Sequence, residues 1–214
     1  QDLMINFIGS SKETYSEDLG AEYYETTAHA GARPSHAEWQ GRVFKIHGSS
    51  PDYPNFVDST GYGSGSGLCG WNCRHSFYPY WPGISSPAYS KEKLAEYDRA
   101  KYSHNGSMLT DYECSQIQRA YEREIREKKR ILASYDAAMK ESRSEAQIQC
   151  IQEDFALESV KLKKKERELK SFCKDTNRSY ESARTQVVAY KDEKGKIVNF
   201  GRSTAQKAVW ANKK

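Results

Sequence analysis

Between Ala28 and Pro87 the chain places all six of its prolines, three of its four tryptophans and most of its glycines. No long helix survives that pattern, because proline fixes φ and removes a backbone donor while glycine weakens any regular element. Yet the stretch is far too aromatic to be a disordered linker. It predicts a loop-rich fold ordered by something other than regular hydrogen-bonded ladders. Its glycine run, Gly61-Tyr-Gly-Ser-Gly-Ser-Gly67, lets the backbone take positive φ and pass close to another group.

The flanking sequence has a different texture. Residues 3–19 suit a short helix and residues 22–27 a strand. A linker is expected over residues 87–105, after which the pattern is helical for about seventy residues. Tyr121, Ile125, Lys128, Leu132, Tyr135 and Met139 alternate four and three apart, and Ile148, Ile151, Phe155, Glu158, Leu162, Lys165, Leu169 and Phe172 alternate three and four. Both are heptad seams, so two long helices should pack together, with the turn in residues 140–146. The charged residues Lys128, Glu158 and Lys165 interrupt the seams, which weakens a self-contained pairing. Residues 186–190 and 196–200 flank a turn over 192–195 and read as a β-hairpin. Ser203 is placed to N-cap a last short helix carrying Ala208, Val209 and Trp210. The fold class is therefore α+β: a loop-rich domain over residues 1–90, an antiparallel helical hairpin over 91–176, and a small β-hairpin with a terminal helix over 177–214.

Charge divides along the same line. The net charge is +4, but residues 1–90 carry −4 and residues 91–214 carry +8, with 28 basic against 20 acidic side chains. The basic half can favour a polyanion, or it can be a solvated, salt-bridged helix surface. Arg119, Arg123, Arg126, Lys129 and Arg130, followed by Lys163, Lys164 and Lys165, are the candidate phosphate contacts. With 37% hydrophobic residues there is no window of eighteen apolar positions, so a membrane-spanning chain is not expected. There is no basic-then-apolar leader either, and the opening at Gln1 without methionine suggests a processed product or a fragment.

Five cysteines are an odd number, and a disulfide framework is not expected in a chain of this length. Only Cys69 and Cys73 cluster, in Cys-Gly-Trp-Asn-Cys-Arg-His75. Thiolate and imidazole are the ligands zinc prefers, and four in tetrahedral array close a structural site. A metal would also fix a segment poor in regular structure. The ligand set is His36, Cys69, Cys73 and His75, with His29 in reserve. Two alternatives stand beside it. The same residues can be buried thiols and hydrogen-bonded histidines in an aromatic core, or a Cys/His nucleophile and base, although no acid stands at an orienting position.

The string from Ala28 to Gly41, which holds Arg33-Pro-Ser-His36, the string from Gly61 to Pro79, and Pro82-Gly-Ile-Ser85 closely resemble the tailed-phage minor capsid protein 2 family. They are also similar to the wider Mu F-type head-morphogenesis domain. Arg33, Pro34, His36 and Gly41 match its Arg-Pro-x-His…Gly element, and Gly70, Asn72, Cys73 and Arg74 its Gly-x-Asn-Cys-Arg-Cys element. His75 replaces the final cysteine, which exchanges one zinc-competent ligand for another and favours metal over a disulfide. The stretch from Tyr112 to Arg130, with Gln-Arg119, Glu122-Arg-x-Ile-Arg126 and Lys129-Arg130, extends the likeness into the helical half. The resemblance implies a non-enzymatic, minor virion component near the portal vertex, made in the bacterial cytoplasm and acting in head assembly and DNA packaging or delivery. Its implied partners are portal or capsid proteins; the basic helix face adds packaged DNA as a candidate partner, and the heptad seams a second copy of the chain. The competing class is a Cys/His or zinc hydrolase carried by the virion. The upstream helical region usual in the family is missing here, and residues 174–214 look too short for the toxin domain that some relatives carry.

Overall fold

Three short aromatic strands give the Gly/Pro-rich stretch its frame. The computed structural model describes residues 2–191, 197–199 and 202–211, and the α+β chain divides into two units: residues 1–101 with 109–113, and residues 102–108 with 114–214.

In the first unit β1 (Tyr23–Thr26), β2 (Val43–Lys45) and β3 (Phe77–Tyr80) form an antiparallel sheet in the order β2-β1-β3. Tyr24 on the central strand faces Phe44 on one side and Pro79 on the other. Pro79 cannot donate to a ladder, and it sits on an edge strand where that loss is tolerated. Helix α1 (Asp2–Asp18) precedes the sheet, and its Lys12 Nζ donates to Ser76 Oγ at 2.5 Å. The short helices α2 (Pro34–Ala37), α3 (Phe56–Thr60) and α4 (Lys91–Asp98) complete the unit. The core is aromatic. The ring centroids of Tyr24 and Phe77 are 4.6 Å apart, Tyr24 and Phe56 4.9 Å, and Phe56 and Phe77 5.1 Å, all tilted or edge-on. Such pairs add about 0.5–1.5 kcal/mol each beyond the area they bury. Trp39, Phe44, Leu68, Cys69 and Cys73 pack against the same cluster.

Residues 87–105 are not a linker. Ser90 caps α4 by accepting from Lys93 N–H at 3.2 Å. Beyond it, β4 (Tyr102–His104) and β5 (Ser107–Leu109) pair around Asn105-Gly106, whose φ values of 49° and 80° are the left-handed pair that a two-residue hairpin turn requires.

Helix α5 (Asp111–Glu141) starts with a reciprocal cap. Thr110 N–H donates to Glu113 Oε2 at 2.8 Å, and Glu113 N–H donates to Thr110 Oγ1 at 3.2 Å. Helix α6 (Glu145–Asp175) returns antiparallel to it, capped by Ser144. Ile125 and Leu132 of α5 meet Phe155, Leu162, Leu169 and Cys173 of α6 in one buried cluster, flanked by Tyr121, Tyr135 and Met139. The charges expected to weaken this seam instead pair across it: Lys128 Nζ lies 2.8 Å from Glu158 Oε1, and Lys165 Nζ lies 3.0 Å from Glu124.

After α6 the chain folds back along α5. Gln118 Nε2 donates to the Ser179 carbonyl at 3.0 Å and Lys129 Nζ to the Thr185 carbonyl at 3.0 Å, the latter at the end of a 3-10 turn (Ser182–Thr185). Strands β6 (Val188–Lys191) and β7 (Ile197–Asn199) pair antiparallel, with Lys191 opposite Ile197, while the expected turn over 192–195 lies outside the described residues. Helix α7 (Arg202–Ala211) begins before Ser203, which therefore lies in its first turn rather than capping it. Thr204 Oγ1 and Lys207 of α7 both donate to the buried Asp136 of α5, as does Lys140. Among the described residues no helix is long and apolar enough to cross a membrane.

Candidate functional site

Two local structures of the first unit aim side chains at one point. The first is α2. Arg33 precedes a proline and is held extended, with ψ at 152°, and Pro34 opens the helix at a position where its missing N–H costs nothing. The single turn that follows buries His36 at 2% exposure and, four residues on, Gln40 at 1%. Arg33 itself reaches out to donate to the Trp71 carbonyl at 2.7 Å.

The second is the glycine run. Residues 61–73 form a coil of successive turns, in which Leu68 N–H donates to Thr60 O at 2.9 Å, Trp71 N–H to Gly65 O at 2.7 Å and Cys73 N–H to Gly70 O at 3.1 Å. The coil closes only without side chains: a Cβ at Gly67 would stand 2.0 Å from the Gly61 carbonyl oxygen. Cys69 adopts φ 58°, a left-handed conformation that costs a non-glycine residue roughly 1–2 kcal/mol. The coil delivers Cys73, and two residues later His75, into the core.

There the atoms converge. His36 Nδ1 and His75 Nδ1 are 3.3 Å apart, and Cys73 Sγ lies 3.7 Å from each. The three side chains are buried, and these ligand atoms all lie within 4.8 Å of one another. The outer nitrogens of both rings are engaged. His36 Nε2 lies 3.0 Å from the Ser66 carbonyl oxygen and His75 Nε2 lies 3.1 Å from Gln40 Oε1. Trp39 packs against both imidazoles, with centroids 4.6 Å from His36 and 4.9 Å from His75. Burial, reinforced by His29, His36 and the neighbouring arginines, lowers His75 to about 3, and burial lowers His36 as well. Both rings are therefore neutral near pH 7, the form in which imidazole binds a metal.

Cys69 does not join this group. Its backbone is left-handed and its thiol lies 3.8 Å from the His75 carbonyl, an oxygen that Cys73 Sγ also approaches at 4.0 Å; burial, with the nearby Cys73, raises it to about 11. His29 stacks on the His75 ring at 4.2 Å, donates from Nδ1 to its neighbour's carbonyl at 2.9 Å, and keeps a buried Nε2. Sequence reasoning missed Gln40 and Ser66, the residues that hold the ring nitrogens from behind. Gln40 was findable, since it follows His36 by one helical turn; Ser66 acts through its backbone and left no side-chain signal.

The basic residues divide too. Arg119, Arg123 and Arg130 are exposed, share one face of α5 by their spacing, and carry no ion pair among the described residues. Lys129 is not on that surface: it is 7% exposed, donates to the Thr185 carbonyl and lies 3.9 Å from Glu166 Oε1. Arg126 donates to the Arg184 carbonyl at 2.5 Å. Lys163 pairs with Glu166 at 2.9 Å, Lys164 with Glu168 at 4.0 Å, and Lys165 with Glu124 and Glu168 at 3.0 Å each.

Comparison with known proteins gives the context. The family described as phage minor capsid protein 2 matches residues 6–174. A structural protein of Lactococcus phage LL-H is 34% identical over 121 residues, covering 54% of this chain and 28% of that protein. A structural protein of Lactococcus phage mv4 is 38% identical over 86 residues, covering 40% of this chain and 60% of its own length. The chain thus spans less than two thirds of either relative. No solved structure matches it.

Proposed function

The chain belongs to the phage minor capsid protein 2 family, and from that premise we propose that it works at the portal vertex of a phage head, in assembly and in packaging or delivery of the genome. Its role as a phage structural protein rests on that family and on the two relatives. The observation that carries the finer reading is the family match over residues 6–174, which takes in the sheet, the buried His/Cys group and both long helices. A minor component has too few copies to tile a shell, and a unique vertex is where few copies suffice.

The helices supply the contacts. Leu157 and Val160, about one turn apart on α6, are 62% and 48% exposed and offer an apolar face to a portal or capsid protein or to a second copy. Arg119, Arg123 and Arg130 offer the genome a sequence-independent phosphate contact. The role is non-catalytic. Cys73 has the chemistry of a nucleophile and His36 that of its base, but both are 2% exposed, and burial of that degree supports a packed element rather than a site open to substrate. Immunogold labelling of purified virions tests the reading: label at one vertex per head is expected, and label spread over the shell, or heads that contain no copy of the protein, overturns it.

A further inference from the structure

The His36–His75 contact is short of protons. The Ser66 carbonyl oxygen can only accept, so His36 Nε2 carries the hydrogen and its Nδ1 is a bare lone pair. Gln40 Oε1 already accepts from the His29 backbone N–H at 3.1 Å, which fixes the orientation of the amide; His75 Nε2 must therefore donate to the same oxygen, and its Nδ1 is bare as well. Two lone pairs then face each other across 3.3 Å in a buried core. One proton, on Cys73 Sγ at 3.7 Å from both, stands near them and can satisfy only one. A buried acceptor pair left in this state is costly. A cation bound by all three atoms removes the conflict.

We propose that His36 Nδ1, Cys73 Sγ and His75 Nδ1 bind one Zn2+ ion, as a three-residue protein site from which Cys69 is excluded. The donor set, two imidazoles and one thiolate, suits zinc. Ser66 and Gln40 take the part that outer partners take in metal centres, holding each ring in the tautomer whose inner nitrogen is free to ligate. On binding, Zn2+ forms bonds to two nitrogens and one sulfur, and the Cys73 S–H bond breaks with release of its proton to solvent. The ion ties α2 to the segment leading into β3, across the coil that glycine alone can close. This goes beyond the role in the virion, because it concerns how the first unit is held.

The test uses the full chain expressed with zinc and examined by native mass spectrometry. One Zn2+ per chain is expected, retained in Cys69→Ser and absent from Cys73→Ser. Zinc-free folded protein overturns the proposal, and so does loss of zinc from Cys69→Ser. Because Cys73→Ser can fail to fold, Gln40→Leu provides a second arm. It leaves all three ligands in place and should weaken Zn2+ about ten-fold or more in chelator competition, while Gln40→Glu, which keeps the acceptor, restores binding. Unchanged affinity in Gln40→Leu overturns the assignment of the ring tautomers on which the site depends.

Discussion

Lys128 Nζ of α5 lies 2.8 Å from Glu158 Oε1 of α6, with the two side chains 20% and 11% exposed in the seam between the helices. Removing Lys128 leaves Glu158 with the exposed Lys161 alone, 3.2 Å from its Oε2, and removing Glu158 leaves Lys128 poorly solvated, whereas removing both leaves neither. Lys128→Leu and Glu158→Leu alone should each lower stability by about 1–2 kcal/mol, and the double substitution should restore or exceed the parent's melting temperature. Thermal unfolding followed by circular dichroism checks this, and a double variant less stable than either single one contradicts it.

Acid should loosen the helical unit through Asp136. Burial pushes its carboxyl up, but donation from Lys140 and Lys207 outweighs that and holds it below the ordinary 3.8. A group lowered on folding contributes its full stability above the unfolded value and loses it as pH falls through the folded one. Asp136→Asn should therefore cost about 2 kcal/mol at pH 7 and progressively less below pH 3.8. Urea unfolding at pH 7 and at the lowest pH where the chain stays folded measures the difference. A constant difference would assign the effect to packing instead.

Two glycines separate backbone strain from steric closure. Gly48 has φ +73° with nothing within 4 Å of a Cβ built on it, so Gly48→Ala meets only left-handed strain, about 1 kcal/mol. At Gly67 the Gly61 carbonyl stands 2.0 Å away, and Gly67→Ala should cost about 3 kcal/mol or prevent folding of the first unit. Denaturant midpoints of the two variants rank them.

If the proposed phosphate contact is made, DNA binding should follow exposure rather than charge count. Arg119→Gln, Arg123→Gln and Arg130→Gln together should weaken binding to any duplex and reduce the salt slope by up to about 3. Lys129→Met should leave that slope unchanged while altering stability, because Lys129 is already engaged at the Thr185 carbonyl. Fluorescence anisotropy against salt reads both, and equal effects from the two sets would return Lys129 to the surface.

The helices were legible because heptad spacing is a local property: Ile125, Leu132, Leu162 and Leu169 are buried where their periodicity places them. The partners of Lys128 and Lys165 were not, since pairing across a seam depends on a register that neither helix encodes by itself. The β4–β5 hairpin was missed despite a local signal, Asn105-Gly106, because short strands with polar residues show little alternation. At the candidate site, residue chemistry identified His36, Cys73 and His75. The same chemistry also named Cys69, which the fold leaves outside the group of three, at a left-handed φ that composition does not reveal.

The return of the chain along α5 after α6 has a kinetic consequence. Its hydrogen bonds join residues 61, 58 and 56 positions apart, whereas helix propagation proceeds over four. Closing loops of such length is entropically costly, so these contacts are expected to form after the long helices have met and to contribute little to the transition state. Stabilising Ser179, Arg184 or Thr185 against α5 should therefore slow unfolding and leave the rate of folding almost untouched. Lifetime, rather than equilibrium stability, is the quantity that this segment is placed to govern.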